Sequence, residues 1–192
     1  MISIVLGLGN IGAEYEATRH NLGFEVLDRV AKLQKAVPQK PTREYTWSLI
    51  ERSPEPLVLA WPRTYMNRSG LAAVALLERV EREPSEMLVV VDDFNLPLGA
   101  LRFRQNGSDG GHNGLASIIE ILETEDFPRL RLGIGPAPEY SSTIDFVLGK
   151  FDKEELKKAS DLTNTAAEAV IFASNHRLDQ AMSEYNRNPA QL

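Results

Sequence analysis

The stretch Val5–Asn21, VLGLGNIGAEYEATRHN, carries the spacing Gly7-x-Gly9-x-x-Gly12 immediately behind an apolar run, Ile2 to Leu6. That run is short, apolar and stopped by glycine, which reads as a buried strand. The glycine spacing is that of a dinucleotide-binding loop, whose last glycine opens a helix and whose helix N-terminus receives a pyrophosphate. The residues past Gly12 argue against that use. They run Ala-Glu-Tyr-Glu-Ala-Thr-Arg-His, and the amphipathic period starts only near Leu22. Glu14 and Glu16 place negative charge where a phosphate would sit, and Asp28 falls in mid-helix rather than at the end of a second strand. A nicotinamide dinucleotide is therefore the minor reading. The plain reading is that the glycines permit a tight turn from strand to loop. A third reading gives the loop to side chains, since Asn10, Tyr15, Arg19, His20 and Asn21 crowd into it.

The rest of the chain alternates strands with helices. Leu22–Leu33 reads as a helix with Phe24, Leu27, Val30 and Ala31 on one face. Tyr45–Glu51 and Leu57–Trp61 read as a strand pair around Ser53-Pro54-Glu55-Pro56, and Ser69–Val80 as a helix. Met87–Val91 is the most apolar strand and is expected to end at Asp92-Asp93. Leu101–Arg104 and Leu130–Ile134 read as strands, and Gly114–Leu122, Phe151–Ser174 and Leu178–Asn186 as helices. The expected fold is α/β: a single domain over residues 1–192, with a twisted mixed β-sheet flanked by helices and a C-terminal helical tail. In such sheets ligands gather at the carboxyl ends of the strands. Asn10 and Asp92 both stand at such ends.

Composition narrows the function classes. The chain has 192 residues, 43% hydrophobic and 25% charged, which suits one globular domain. No run of about 18 apolar residues is present, so no membrane span is expected. The N-terminus lacks the basic region and cleavage site of a signal peptide. With no cysteine, thiolate metal sites and disulfides are excluded and a cytoplasmic location is expected. A net charge of −6 does not point to nucleic acid as a whole, although a local basic patch can still serve one.

His20 has the strongest case for chemistry among His20, His112 and His176. A base that works near pH 7 is most economically a histidine, whose unperturbed pKa is about 6.5. Asp92, at a strand end, can accept from one imidazole nitrogen and leave the other free as a base. Without Asp92, a lone histidine reads as a surface or capping residue; for Asp92-Asp93 the alternatives are a loop start or helix cap or, with too few further ligands, a metal pair. Asn10, Asn67 and Asn113 each lie in a glycine- or serine-rich turn, and Asn67 and Asn113 fit as helix caps. An amide also grips a carbonyl or stabilises an oxyanion, where one donor is worth about 2.7–4 kcal/mol. No G-x-S-x-G nucleophile elbow is present. A histidine base without a protein nucleophile implies an activated water, hence a hydrolase.

These pieces together resemble one family. Gly7-Leu8-Gly9-Asn10-Ile11-Gly12, Tyr15 and Thr18-Arg19-His20-Asn21-Leu22-Gly23 look like the N-terminal signature of bacterial peptidyl-tRNA hydrolase. Tyr65-Met66-Asn67-Arg68-Ser69-Gly70, Asp92-Asp93-Phe94-Asn95-Leu96-Pro97-Leu98-Gly99, Gly110-Gly111-His112-Asn113-Gly114-Leu115 and Arg129-Leu130-Arg131-Leu132-Gly133-Ile134-Gly135 resemble its later motifs, in order. The resemblance implies a monomeric cytoplasmic enzyme that cuts the ester between peptide and tRNA in peptidyl-tRNA dropped from ribosomes, with no metal and no organic cofactor. It implies His20 as general base, Asp92 as its orienting partner, and Asn10 as the residue that senses a blocked amino group. It implies Asn67 and Asn113 as substrate-holding amides, Tyr15 and Tyr65 as cleft walls, and Arg104 and Arg131 as a clamp on an acceptor-stem phosphate. The paired spacing Arg102/Arg104 and Arg129/Arg131 places each pair on one strand face, which otherwise reads as solvated.

The chain departs from the family pattern in places. Tyr65 stands where the family often has Phe, and Val91 and Asn95 where it often has His and Asp. Asp109 adds negative charge beside the expected cleft and would weaken RNA affinity. Pro136–Ser142 reads as a flap over the cleft. The rivals are an RNA-binding relative without hydrolysis, the dinucleotide oxidoreductase, and an unrelated hydrolase of small substrates.

Overall fold

The computed structural model describes residues 1–137 and 142–186. Seven strands form one sheet in the order β2-β3-β4-β1-β5-β7-β6. They are β1 (Ile4–Gly7), β2 (Val37–Pro38), β3 (Tyr45–Ile50), β4 (Leu57–Pro62), β5 (Met87–Pro97), β6 (Leu101–Arg104) and β7 (Arg129–Gly135). The centre, β4-β1-β5-β7, is parallel, and the antiparallel pairs lie at the edges. The sheet is therefore mixed, as expected. The helices are α1 (Leu22–Leu33), α2 (Ser69–Val80), α3 (Asn113–Leu122), α4 (Thr143–Leu148), α5 (Leu156–Asn175) and α6 (Leu178–Tyr185). None is long and apolar enough to cross a membrane.

The central strands bury both faces, so they read as apolar runs rather than alternating ones. Val5, Leu88, Val90, Leu130 and Leu132 face one core with Leu22, Val26 and Val30 of α1 and Ala166 and Val170 of α5. Ile4, Leu6, Val89 and Val91 face a second core with Ala72 and Leu76 of α2 and Leu115 and Ile118 of α3. Each fully buried Leu, Ile or Val contributes about 1.5–3 kcal/mol. The C-terminal helical tail packs onto the sheet, where α5 shares one core with α1. That helix begins at Leu156, later than the expected Phe151, because a turn over Asp152–Leu156 precedes it.

Strand β1 sits where the order of the sheet reverses. After β1 the chain crosses by α1 on one face and reaches β4 on one side; after β4 it crosses by α2 on the other face and reaches β5 on the other side. The chain leaving β1 turns to α1 on one face and the chain leaving β5 passes by β6 to α3 on the other, which leaves a crevice at the carboxyl ends of β1 and β5.

The glycine loop is explained by this packing. Behind Gly12 come two 3-10 turns, Ala13–Tyr15 and Arg19–Asn21, and α1 begins only at Leu22. Gly12 thus does not open a helix, as the last glycine of a pyrophosphate loop does. A Cβ on Gly7 would meet the Gly23 carbonyl oxygen at 2.5 Å, and one on Gly9 would meet the Phe24 ring at 2.7 Å. The glycines let the loop lie directly on the first turn of α1.

Candidate active site

The turn that carries His20 is fixed from below by Arg19. Arg19 is buried and donates to the Lys150 carbonyl at 2.7 Å, and it pairs with Glu155 at 2.6 Å. Its guanidinium lies 4.5 Å from the Phe146 ring centroid. Its backbone N–H donates to Gly149. Arg19 thus ties the loop after β1 to the segment before α5, a structural role rather than a displayed one.

His20 faces Asp92. Nδ1 lies 2.9 Å from Asp92 Oδ1 and 3.0 Å from Oδ2. A carboxylate only accepts, so Nδ1 carries the proton and Nε2 is the basic nitrogen. Nε2 has no described protein partner and is not sealed from solvent. β5 does not stop at Asp92, as the sequence pattern suggests. It runs to Pro97, because Asp92 and Asp93 stay in register with Leu132 and Gly133 while their carboxylates find partners.

A second imidazole shares the same carboxylate. His112 Nε2 lies 3.1 Å from Asp92 Oδ1, and the two imidazole centroids are 4.8 Å apart. His112 Nδ1 accepts from the backbone N–H groups of Gly114 and Leu115, at 3.1 and 3.3 Å. Two donors on Nδ1 place the ring proton on Nε2, which therefore donates to Asp92. His112, not Asn113, caps α3. Its role is not legible in the sequence, although its place next to the helix start is a signal. Burial alone would raise the Asp92 pKa, but His20 and then His112 outweigh it and hold the carboxyl well below the usual range.

The asparagines divide. Asn10 is buried: its Oδ1 accepts from Met66 N–H at 2.8 Å, and its backbone exchanges bonds of 2.8 and 3.0 Å with the Asn21 amide. This network assigns the amide, and Nδ2 is left facing solvent with no described protein acceptor. Asn67 lies in the 3-10 turn Met66–Arg68 beside the residue Asn10 holds, and Asn113 opens α3 beside His112. Both are exposed and neither caps a helix by its side chain. Tyr15 is half-buried in the turn after Gly12, and Tyr65 is 55% exposed.

The basic residues also divide. Arg129 is buried and donates to the carbonyls of Gly107, Ser108, Glu125 and Phe127. Burial pushes its pKa down to about 10, so it stays charged at neutral pH. It anchors the loop that leads to His112 and is not part of a solvated face. Arg131 forms a 2.5 Å ion pair with Asp93 that lacks the alignment of a hydrogen bond. Arg104 is exposed and has no ion pair among the described residues. Asp109 turns its carboxylate to its own loop, where it accepts from Gly111 N–H at 2.7 Å. Of the expected flap, Pro136–Ser142, residues 138–141 lie outside the described residues.

By residue type, His20, Asp92 and His112 make a metal ligand set, with ligand atoms within 4.8 Å of one another. Each ring nitrogen facing Asp92 carries a proton in the arrangement above, so a metal ion would have to displace both.

A family model described as peptidyl-tRNA hydrolase matches residues 4–191. The chain is 44% identical over 185 residues to the peptidyl-tRNA hydrolase of Prosthecochloris aestuarii, covering 96% of each chain. It is 42% identical over 189 residues to that of a Sulfurihydrogenibium species, covering 98% and 99%. The crystal structure of peptidyl-tRNA hydrolase from Acinetobacter baumannii superposes with a TM-score of 0.89 at 31% identity, over 96% and 94% of the two chains. With the crevice at β1 and β5 and the His20–Asp92–His112 cluster in it, this chain belongs to the peptidyl-tRNA hydrolase family.

Proposed function

We propose that the protein hydrolyses the ester between the peptide and the terminal ribose of peptidyl-tRNA, with His20 as general base. One observation carries the reading. The buried Asp92 carboxylate takes the Nδ1 proton of His20 in a hydrogen bond and leaves Nε2 as the single basic nitrogen open to the crevice. Nε2 takes a proton from water as the oxygen attacks the ester carbonyl. The resulting imidazolium is stabilised by Asp92 and returns the proton to the departing ribose oxygen. The products are a peptide carboxylic acid, which releases its proton to solvent, and a free hydroxyl. An ester is activated enough that a positioned water and a base suffice, and the base is worth about 10²–10⁴ in rate. Asn67 and Asn113, exposed on either side, are the donors for the oxyanion and the peptide backbone.

Asn10 supplies the selection for a blocked amino group. Its oxygen is occupied by Met66, so it offers only the Nδ2 donor to a ligand. An N-acyl carbonyl accepts from that donor. A free ammonium has only donors of its own and gains nothing there. Arg104 and Arg131 are the phosphate contacts for the acceptor stem, and the protein works as a cytoplasmic monomer in ribosome rescue.

The test is release of labelled N-acetyl-aminoacyl residue from tRNA by wild-type protein and by His20→Ala, with unblocked aminoacyl-tRNA as control. Fast cleavage of the blocked ester, slow cleavage of the unblocked one and a loss of about 10²-fold or more in the mutant are expected. A folded wild-type protein that binds tRNA and cleaves neither ester would refute the reading.

A further inference from the structure

Asp92 and Asp93 are neighbours on β5, so their side chains leave the strand toward opposite faces. Asp92 pairs in register with Leu132, which belongs to the core under α1, and it serves the two histidines. Asp93 stands two residues beyond Val91 and shares its face, the one that α2 and α3 cover. Arg131 pairs directly with Val91 and stands on that face too. Asp93 and Arg131 are therefore diagonal neighbours across β5 and β7, and Asp93 Oδ2 lies 2.5 Å from Arg131 Nη2.

The two partners are differently placed. Asp93 is buried, and its Oδ1 accepts from Asn95 N–H at 2.9 Å. Its Oδ2 is sealed from water without a well-aligned hydrogen bond, and Arg131 is its one ion-pair partner among the described residues. A buried carboxylate stripped of its cation is costly, which keeps Arg131 beside it. Arg131 has a quarter of its side chain exposed and no other acceptor among the described residues. Its guanidinium thus keeps free donors for a phosphate while one end is held. Asp109 lines the same small recess and adds a second negative charge to its walls. Arg104, on β6, is exposed and has no such counterion among the described residues.

We propose that Asp93 limits the grip of Arg131 on RNA, so that deacylated tRNA can leave once the ester is cut. The proposal rests on the reading of the preceding subsection, in which Arg131 contacts a phosphate. Cleavage removes the peptide and leaves every phosphate in place. Phosphate contacts therefore bind substrate and product alike, and they lower KM without aiding the chemical step. An unopposed cation at Arg131 would hold the product as much more tightly as the substrate, and spent tRNA would block the crevice. Asp93 offsets that charge and fixes the guanidinium, so Arg131 contributes direction more than electrostatic strength. Asp93 is buried behind Arg131 and acts through it, which makes it a positioning residue. Telling substrate from product is left to the contacts with the peptide.

The experiment measures, across a salt series, the binding of deacylated tRNA, its Ki against N-acetyl-aminoacyl-tRNA, and the KM and kcat of that substrate. Wild type is compared with Asp93→Asn, with Asp93→Glu and with a charge-matched control, Asp161→Asn, at an exposed position of α5. Thermal melting accompanies each variant. Asp93→Ser, which also keeps an acceptor for Asn95 N–H, replaces Asp93→Asn if the latter does not fold. Asp93→Asn is expected to lower KM and Ki together by about tenfold and to steepen the salt slope by about 0.9, the share of one duplex phosphate, with no rise in kcat. Asp93→Glu and Asp161→Asn are expected to keep the wild-type Ki and slope. An unchanged Ki and slope in folded Asp93→Asn, an equal change in Asp161→Asn, or the Asn behaviour in Asp93→Glu overturns the proposal. So does weaker RNA binding by Asp93→Asn, which would make Asp93 a support for Arg131 and nothing more. A wild type that binds deacylated tRNA but cleaves neither ester sinks the hydrolase reading, while the binding and slope measurements still decide on Asp93; a wild type that binds no tRNA sinks both.

Discussion

His112 Nε2 lies 3.1 Å from Asp92 Oδ1, the same oxygen that receives His20 Nδ1 at 2.9 Å. One carboxylate therefore divides its acceptor strength between two imidazoles, only one of which can act as a base. His112 directs its Nε2 proton at that carboxylate, because Gly114 and Leu115 N–H groups occupy its other nitrogen. It is a positioning residue, acting on His20 through Asp92. Removing it in His112→Ala concentrates the carboxylate on His20 and makes His20 the stronger base. The acid limb of the kcat/KM profile should move to higher pH, while kcat falls by about tenfold as Asp92 loses a fixed partner. The lost cap of α3 should cost about 1 kcal/mol. For a chain of this length that lowers Tm by about 2–4 °C. A lower Tm with an unmoved acid limb would reduce His112 to a helix cap.

Asn10→Asp tests how the blocked amino group is sensed. The substitution keeps an oxygen for Met66 N–H but replaces the Nδ2 donor with a second acceptor. A free ammonium then gains a charged partner, and an N-acyl carbonyl loses its donor. The ratio of kcat/KM for N-acetyl-aminoacyl- over aminoacyl-tRNA should fall by about tenfold or more, since a hydrogen bond to a charged group is worth about 1.5–3 kcal/mol. An unchanged ratio would move the sensing elsewhere.

Much of this site is readable from the sequence, and the boundary of what is readable has a physical cause. His20 and Asp92 are separated by 72 positions yet pair on sequence grounds, because each follows a strand end or glycine turn, where the ligands of an open α/β sheet gather. α2 falls to the residue at Ser69–Val80, since its Ala and Leu stripe and the turn before it agree. The failures are of side-chain direction. Arg19 and Arg129 look like surface cations in a sequence, but each folds inward onto carbonyls that no local pattern announces. The prolonged β5 is hidden because aspartates disfavour strands until partners from other segments satisfy them. The short β2 and α4 are too brief to show a period.

Asp92 also sets acid stability. Its carboxyl is held below the usual range in the folded chain, chiefly by His20 and His112 against the opposing effect of burial. A depressed folded pKa stabilises the protein above the unfolded value of about 3.9 and loses that contribution as pH falls below it. Urea unfolding of the wild type should therefore show stability dropping steeply below about pH 4, and Asp92→Asn should flatten that drop. At neutral pH the mutant should be less stable, because its amide turns a donor toward one of two imidazole N–H groups. Parallel acid limbs in the two proteins would exclude Asp92 as the titrating group.

Arg104 and Arg129 are direct partners in the β6–β7 register, and their substitutions should separate RNA binding from folding. Arg129 is buried under four carbonyls, and a Met in its place removes their guanidinium donor, leaving only that of Glu125 with a backbone partner, the Phe127 N–H. Each unsatisfied buried group costs about 1–3 kcal/mol, so Arg129→Met should be among the most destabilising single changes. Its first symptom should be proteolysis near Gly107–Ser108, with kcat falling as His112 loses the loop that leads to it. Arg104→Ala removes an exposed side chain and should leave Tm within about 1 °C. It should raise KM for N-acetyl-aminoacyl-tRNA and reduce the salt slope by about 0.9, the share of one duplex phosphate. The opposite pairing, a Tm loss for Arg104→Ala and a pure KM effect for Arg129→Met, would reverse the assignment of the two arginines.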